Sequence, residues 1–230
     1  MTDTLRHRTF ASRRLLAPAA AVVLSLTAVA WSAPALAQQA TAAAPAAADT
    51  QQGGAVGFVK KLSDDLLAAL KADPAALGGN VSKIRTIVDT QVMPNVDFAR
   101  MTATSVGRPW REATPDQKRK LQDEFKTLLI NTYSGAAKEF ASRKVQFLPV
   151  RGDANADQVV VRSQFIGSGQ PLPVDYRVEK LNGNWRVYDV SVSGLWLVDQ
   201  YRNDFAQTMK NGGVDALLAK LSAQNKAAAQ

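Results

Sequence analysis

Asp189, Tyr133 and Tyr176 are the side chains of this chain that could do acid–base chemistry together. A carboxylate and a phenol can pass a proton to and from a substrate. The usual catalytic partners are missing, because the 230 residues hold no cysteine and one histidine, His7. His7 falls in a segment read below as an export signal. The remaining chain cannot run Ser-His-Asp, Cys-His or His-ligated zinc chemistry. No catalytic residue and no metal ligand is assigned. No G-x-x-x-x-G-K-[ST] run marks a nucleotide site. A small isomerase or dehydratase using Asp189 with Tyr133 or Tyr176 is the enzyme reading that survives.

The second kind of chemistry is apolar. Large side chains recur at spacings that build faces: Phe125, Leu129 and Tyr133 in one segment, Val161 and Phe165 in another, then Val174, Tyr176, Val178 and Val187. Such a set could line a pocket for a greasy ligand or simply fill a core. Tyr133 and Tyr176 are the better pocket candidates, since a phenol seeks a polar partner.

The N-terminus reads as an address. Arg6, Arg8, Arg13 and Arg14 precede an apolar run from Leu15 to Trp31, and Ala35-Leu36-Ala37 supplies a signal-peptidase site. Residues 1–37 are expected to be cleaved, leaving the mature protein in a periplasm. Ser12-Arg13-Arg14-Leu15-Leu16 faintly resembles a twin-arginine signal, so the export route stays open. The mature chain carries 24 basic and 19 acidic residues. That balance suits weak attraction to acidic protein or lipid surfaces and gives no reason to expect nucleic acid. Residues 38–55 are low in complexity and lack large side chains, as in a flexible leader. Residues 56–224 form one domain, and 225–230 look like a frayed tail. A monomer is the default.

The first half is helical. Phe58, Leu62, Leu66, Leu67 and Leu70 recur at three to four residues up to Asp73-Pro74. Asn80 caps a helix carrying Ile84, Ile87, Val88 and Val92. Asp97 starts a short third helix, broken at Gly107-Arg108-Pro109. Thr114-Pro115-Asp116-Gln117 is a capping box with proline at N1. It opens a long helix expected to reach Ser142. Lys118-Arg119-Lys120 and Arg143-Lys144 read as solvated faces, with docking the sharper alternative.

The period then changes to two. Strands are expected around Val145–Phe147, over 158–166, over 172–178 and over 185–192. Asn182-Gly183 signals a two-residue hairpin pairing Val178 with Val187 and Glu179 with Arg186. Asp189 would then share the apolar face of Val187, where a charge is costly. A buried partner such as Arg85 or Arg202 would relieve that cost. Two helices close the chain, split at Gly212-Gly213. The fold expected is α+β, with helices packed on a twisted four-stranded antiparallel sheet. Its cone-like shape, similar in outline to the nuclear-transport-factor fold, encloses an apolar cavity.

Several marks lie in one order over the chain: Ile84-Arg85-Thr86-Ile87-Val88-Asp89, Met93-Pro94, Ala113-Thr114-Pro115-Asp116-Gln117, and Phe125, Leu128 and Tyr133. Asn184-Trp185-Arg186-Val187-Tyr188-Asp189-Val190, Gly194, Tyr201-Arg202 with Phe205, and Gly213-Val214-Asp215-Ala216-Leu217 complete the series. In this the chain resembles the MlaC, or toluene-tolerance, family of periplasmic phospholipid-binding proteins. The family pattern has an acidic residue before the glycine and a small residue two beyond it. Here those positions hold Ser193 and Trp196, and Trp196 is large enough to reshape or fill the pocket mouth.

The resemblance implies a carrier and not an enzyme. Its cargo would be a glycerophospholipid, with no cofactor. It would exchange that lipid with an outer-membrane lipoprotein–porin complex and an inner-membrane ABC transporter bearing MCE-domain subunits, maintaining outer-membrane lipid asymmetry. The runner-up is a periplasmic adaptor or chaperone that binds protein segments in the same groove.

Overall fold

The structure is a computed structural model that describes residues 54–151, 153 and 156–229. The signal segment and leader residues 38–53 lie outside the described residues. Helix α1 spans Gly54–Ala72, so its first turn takes in the last two residues assigned to the leader. A four-residue helix follows, α2, Pro74–Leu77, capped by the Asp73 carboxylate on the N–H groups of Ala75 and Ala76. Helix α3, Val81–Ile87, takes its N-cap from Asn80. It widens into a π turn over Val88–Val92 and ends in a 3-10 turn at Met93–Asn95, where Pro94 stops it. Helix α4, Phe98–Val106, is capped by Asp97.

Helix α5, Pro115–Tyr133, opens with both halves of the expected capping box: the Gln117 N–H donates to Thr114 Oγ1, and the Thr114 N–H donates to Gln117 Oε1. It does not run unbroken to Ser142. A 3-10 turn at Ser134–Ala136 separates it from α6, Ala137–Ser142. Gly135, a poor helix former, sits at that break.

The sheet is an antiparallel meander of β1 Lys144–Phe147, β2 Gln158–Ile166, β3 Leu172–Leu181, β4 Asn184–Val192 and β5 Leu195–Trp196, in that order. The fifth strand is a two-residue addition to the four expected. Asn182 and Gly183 both take positive φ, 51° and 81°. That is what a tight hairpin with the right twist requires. Val178 pairs with Val187 and Glu179 with Arg186, as the turn implied.

The expectation that Asp189 shares the face of Val178 and Val187 is overturned. The register shifts by a β-bulge between those pairs, so Asp189 stands opposite Arg177. One extra residue turns Asp189 to the other side of the sheet and returns Val190, opposite Tyr176, to the inner face. Its partner is Arg177, at 2.8 Å, and neither Arg85 nor Arg202.

Helix α7, Leu197–Ala228, closes the chain. Its two halves meet at Gly212 and Gly213, which leave helical geometry; Gly213 has φ 65°. The helix continues into the expected frayed tail, as far as Ala228. Asn225 is buried and donates to the backbone and side-chain oxygens of Glu124 on α5, at 2.9 and 2.6 Å. Those bonds hold the last turns against α5.

Buried apolar residues form three clusters and not one. The first joins α4, α5 and α7 through Phe98, Leu121, Phe125, Phe205, Leu217 and Leu221. The second packs the start of α1 on the sheet through Val56, Val59, Val159, Val161, Val178 and Val187. The third ties α1, α2, α3, α5 and α6 through Leu70, Ala76, Ile84, Ile87, Ile130 and Ala141. A domain this size usually has one contiguous core with small satellites. Val96 packs against both the first and the second cluster.

The Tyr201 phenol is buried in the first cluster, and burial pushes its pKa up to about 12. The folded state thus keeps a proton that the unfolded chain loses near pH 10. This contribution is complete below pH 10 and is lost as pH rises towards 12. Two pKa units correspond to about 2–3 kcal/mol. Tyr201→Phe should lose somewhat under 2 kcal/mol, about two-thirds of that full difference, less stability than the wild type between pH 9 and roughly 11.5, read by urea unfolding. Equal alkaline losses would assign the effect elsewhere.

Candidate functional site

The space between the clusters is a cavity of about 370 Å³. Helix α1 contributes Leu62, Leu66, Leu67 and Leu70 along one side of the helix. The opposing wall comes from α5, with Leu129, Ile130 and Tyr133, and from α6, with Ala137 and Phe140. Helix α3 and its π turn supply Ile84, Ile87, Val88 and Val92. The sheet forms the floor: Phe165, Val174, Tyr176, Val187, Val190 and Val192. These sheet residues share one face because antiparallel pairing sets Tyr176 beside Val190 and Val174 beside Val192. Phe140 closes edge-on against Phe165, ring centres 5.5 Å apart.

Polar groups in this wall are few, and those with described contacts are already partnered. Burial raises the pKa of the Tyr176 phenol above the ordinary phenol value, and the buried hydroxyls of Ser63 and Ser163 beside it pull the other way. Lys126 is the one charged lining residue among the described residues. Its ammonium pairs with Asp89, on the π turn, at 2.8 Å. This pair links α5 to the π turn beside the cavity. An acid–base site would instead need a free carboxylate facing the cavity. Asp189 does not provide one. It lies behind the sheet, 1% exposed, with Oδ2 on Arg177 and Oδ1 accepting from the N–H groups of Val190 and Val198. Burial pushes its carboxyl above the usual range, against the pull of those donors. Asp189 therefore anchors the start of α7 and is not itself among the residues that line the cavity.

Of the nine residues expected to line a pocket, six do: Leu129, Tyr133, Phe165, Val174, Tyr176 and Val187. Three do not. Phe125 is fixed among Phe98, Tyr201 and Phe205, at ring separations of 5.6, 4.9 and 5.4 Å. Val161 and Val178 are fully buried under the start of α1. They have the right face of the sheet but the wrong end of it, where the helix covers them. Sequence reasoning missed the α1 leucines, the π-turn valines, Val190 and Lys126. The leucine stripe was plain as a helix face. Nothing in a stripe says whether it meets a side chain or a void.

A family model for MlaC protein matches residues 60–223. The chain belongs to the MlaC family. Relatives in and around the MlaC family agree. The chain is 27% identical over 158 residues to the toluene tolerance protein ttg2D of Pseudomonas putida, covering 68% of this chain and 74% of that one. It is 19% identical over 168 residues to the intermembrane phospholipid transport system binding protein MlaC of Haemophilus influenzae, covering 71% and 78%. Among solved structures it is similar to the phospholipid-binding protein from Ralstonia solanacearum in complex with a phospholipid. There the TM-score is 0.74 and the identity 43%, over 77% of this chain and all of that one. The departure from the MlaC pattern at Trp196 does not fill the cavity. Trp196 lies under the Arg177 guanidinium, 3.9 Å from ring centre to carbon, outside the cavity wall.

Proposed function

We propose that this protein is a periplasmic phospholipid carrier that holds acyl chains in the cavity between its helices and sheet. The observation that carries this reading is the cavity wall: apolar residues from nine helices and strands, one paired charge, and no free catalytic group among the described residues. The phospholipid-bound Ralstonia relative of the same fold supports it. A phospholipid exposes on the order of 30 CH₂ groups, and at about 0.8 kcal/mol each the total of roughly 24 kcal/mol forbids free diffusion through water. A carrier has only to match the bilayer interior, so a dry wall without strong polar contacts suffices. The Lys126–Asp89 pair gives the polar end of the cargo an ionic neighbour beside the cavity.

Among the nine candidates the lipid contacts are assigned to Leu129, Tyr133, Phe165, Val174, Tyr176 and Val187, joined by the α1 leucines. The resemblance supplies the setting: export by the N-terminal signal, loading from one membrane complex and delivery to another, with outer-membrane asymmetry as the outcome. The partners are the lipoprotein–porin complex and the MCE-domain ABC transporter. No helix among the described residues is long and apolar enough to cross a membrane. No enzymatic step is assigned, because Asp189 is spent on structure. An adaptor for protein segments would lay its apolar surface open, whereas here that surface lines the inside.

Native mass spectrometry of the protein purified from a periplasm without detergent tests the proposal. One added phospholipid mass per chain, released on denaturation, is the expected result. A lipid-free mass under the same conditions, with no uptake from phospholipid vesicles, would sink it.

A further inference from the structure

Across the packed α4–α5–α7 core from the lipid cavity, the surface holds a second concavity. It is about 500 Å³ and is lined by Ala103, Thr104, Gly107, Arg108, Trp110, Arg111 and Arg202. It shares no lining residue with the lipid cavity. Helix α4 separates the two: Phe98 and Met101 face the lipid side, while Ala103 and Thr104 border the basic cleft. The cleft exists because Gly107, at φ 76°, turns the chain out of α4 into a 3-10 turn over Arg108–Arg111. That turn sets Arg108, Trp110 and Arg111 on one rim. Arg202 stands on the other, its Nε donating to the Thr104 carbonyl at 3.0 Å.

The charges of this cleft are unbalanced. Several basic groups elsewhere on the surface have local partners. Arg119 and Lys120 share Asp116, and Arg143 is held by Glu139 and the carbonyls of Phe165 and Gln170. Arg108 and Arg111 have no ion-pair or hydrogen-bond partner among the described residues. Arg202 has a loose contact with Asp199 at 3.7 Å, and Asp199 is shared with Arg177. Lys118 adds a fourth positive charge, 5.8 Å above the Trp110 ring. Three guanidinium forks around an indole are suited to carboxylates, which they grip in two-point fashion. Arginine and tryptophan are also the residues that dominate protein–protein contact energies. A flat anionic membrane would meet the rims of a cleft but not its interior, whereas a peptide side chain enters it.

We propose that this cleft is a docking site for an acidic segment of a partner protein, engaged while the lipid cavity on the other side of α4 stays loaded. The inference rests on the carrier reading for its biological setting, but the site is tested without it. The probe is an acetylated, amidated decapeptide of alternating glutamate and glycine, titrated into the full mature protein at low salt. The Trp110 indole N–H is followed by NMR. A second titration uses phosphatidylglycerol vesicles, and a third inorganic phosphate. Saturable peptide binding that shifts the Trp110 signal is expected. It should weaken at least tenfold in the Arg108→Glu/Arg111→Glu variant and fall steeply with salt. Circular dichroism and the lipid mass of that variant should match the wild type.

Equal peptide binding by wild type and variant overturns the assignment, as does a Trp110 signal that does not move. Loss of vesicle binding in the variant, with no peptide effect, replaces the acidic segment by a membrane surface. Phosphate binding equal in strength to the peptide reduces the site to a small-anion pocket. Should the variant be unfolded, Arg108→Gln/Arg111→Gln gives the same reading by charge removal. A protein that lacks lipid but still binds the peptide would defeat the carrier reading and leave this one standing.

Discussion

Replacing Leu129 by glutamate is expected to empty the cavity and leave the fold standing. Leu129 is only partly buried, sits on a well-capped helix and points into the void. Its side chain contributes to the wall more than to the core. A carboxylate there meets acyl chains in place of water, and the effective cost of desolvating it is several kcal/mol. At 1.4 kcal/mol per tenfold, that corresponds to a loss of lipid retention of roughly a hundredfold or more. Leu66→Glu, from the opposite wall on α1, should do the same. The readout is the lipid mass per chain alongside the far-ultraviolet circular dichroism.

Val161→Asp and Val178→Asp should behave differently, because both valines are fully buried in a packed cluster. They should fail to fold. Phe125→Ala should lose about 3–5 kcal/mol of stability, the usual cost of deleting a core aromatic ring. Wall variants that keep lipid would show that the cargo does not lie against α1 and α5.

Asp189→Ala is expected to cost about 3 kcal/mol, the largest loss available from one polar side chain here. The carboxylate holds three donors: the Arg177 guanidinium and the N–H groups of Val190 and Val198. Alanine leaves the two N–H groups without an acceptor, one of them buried at the start of α7. Arg177, one-third exposed and already near Asp199, can turn to solvent. Asp189→Asn keeps the Oδ1 acceptor and should recover half or more of the loss. The consequence reaches the cavity, because Leu197, one residue before Val198, lines it. A loosened α7 start should therefore speed lipid release as well as lower the urea midpoint. Equal losses for Ala and Asn would mean that the ion pair, and not the two N–H bonds, supplies the stability.

Much of the fold was legible because local rules acted alone. Caps at Asn80, Asp97 and Thr114, the prolines at 94 and 115, and the Asn182-Gly183 turn each specify a boundary through their own backbone chemistry. Alternation named the inner face of β2 and β3 correctly. The errors fell where one residue changes the count or a distant contact decides. The β4 bulge inverts the face of Asp189, and no pattern in Asn184–Val192 announces it. The last helical turns persist because Asn225 reaches Glu124, about a hundred residues away in the chain.

The site divides along the same line. The residues alone narrowed the class of chemistry: without cysteine, and without histidine beyond His7, apolar faces were the remaining resource. They also determined the order of helices and strands and, through ordered marks, the MlaC family. Tertiary structure alone decided which of those faces surround a void. Leu129 and Phe125 lie one turn apart on the same stripe of α5, yet one faces the cavity and the other three aromatic rings. The hydrophobic effect rewards removing a side chain from water without regard to what replaces the water. A wall residue and a core residue are therefore written with the same letters, and only the packing of α1, α5 and the sheet around one another tells them apart.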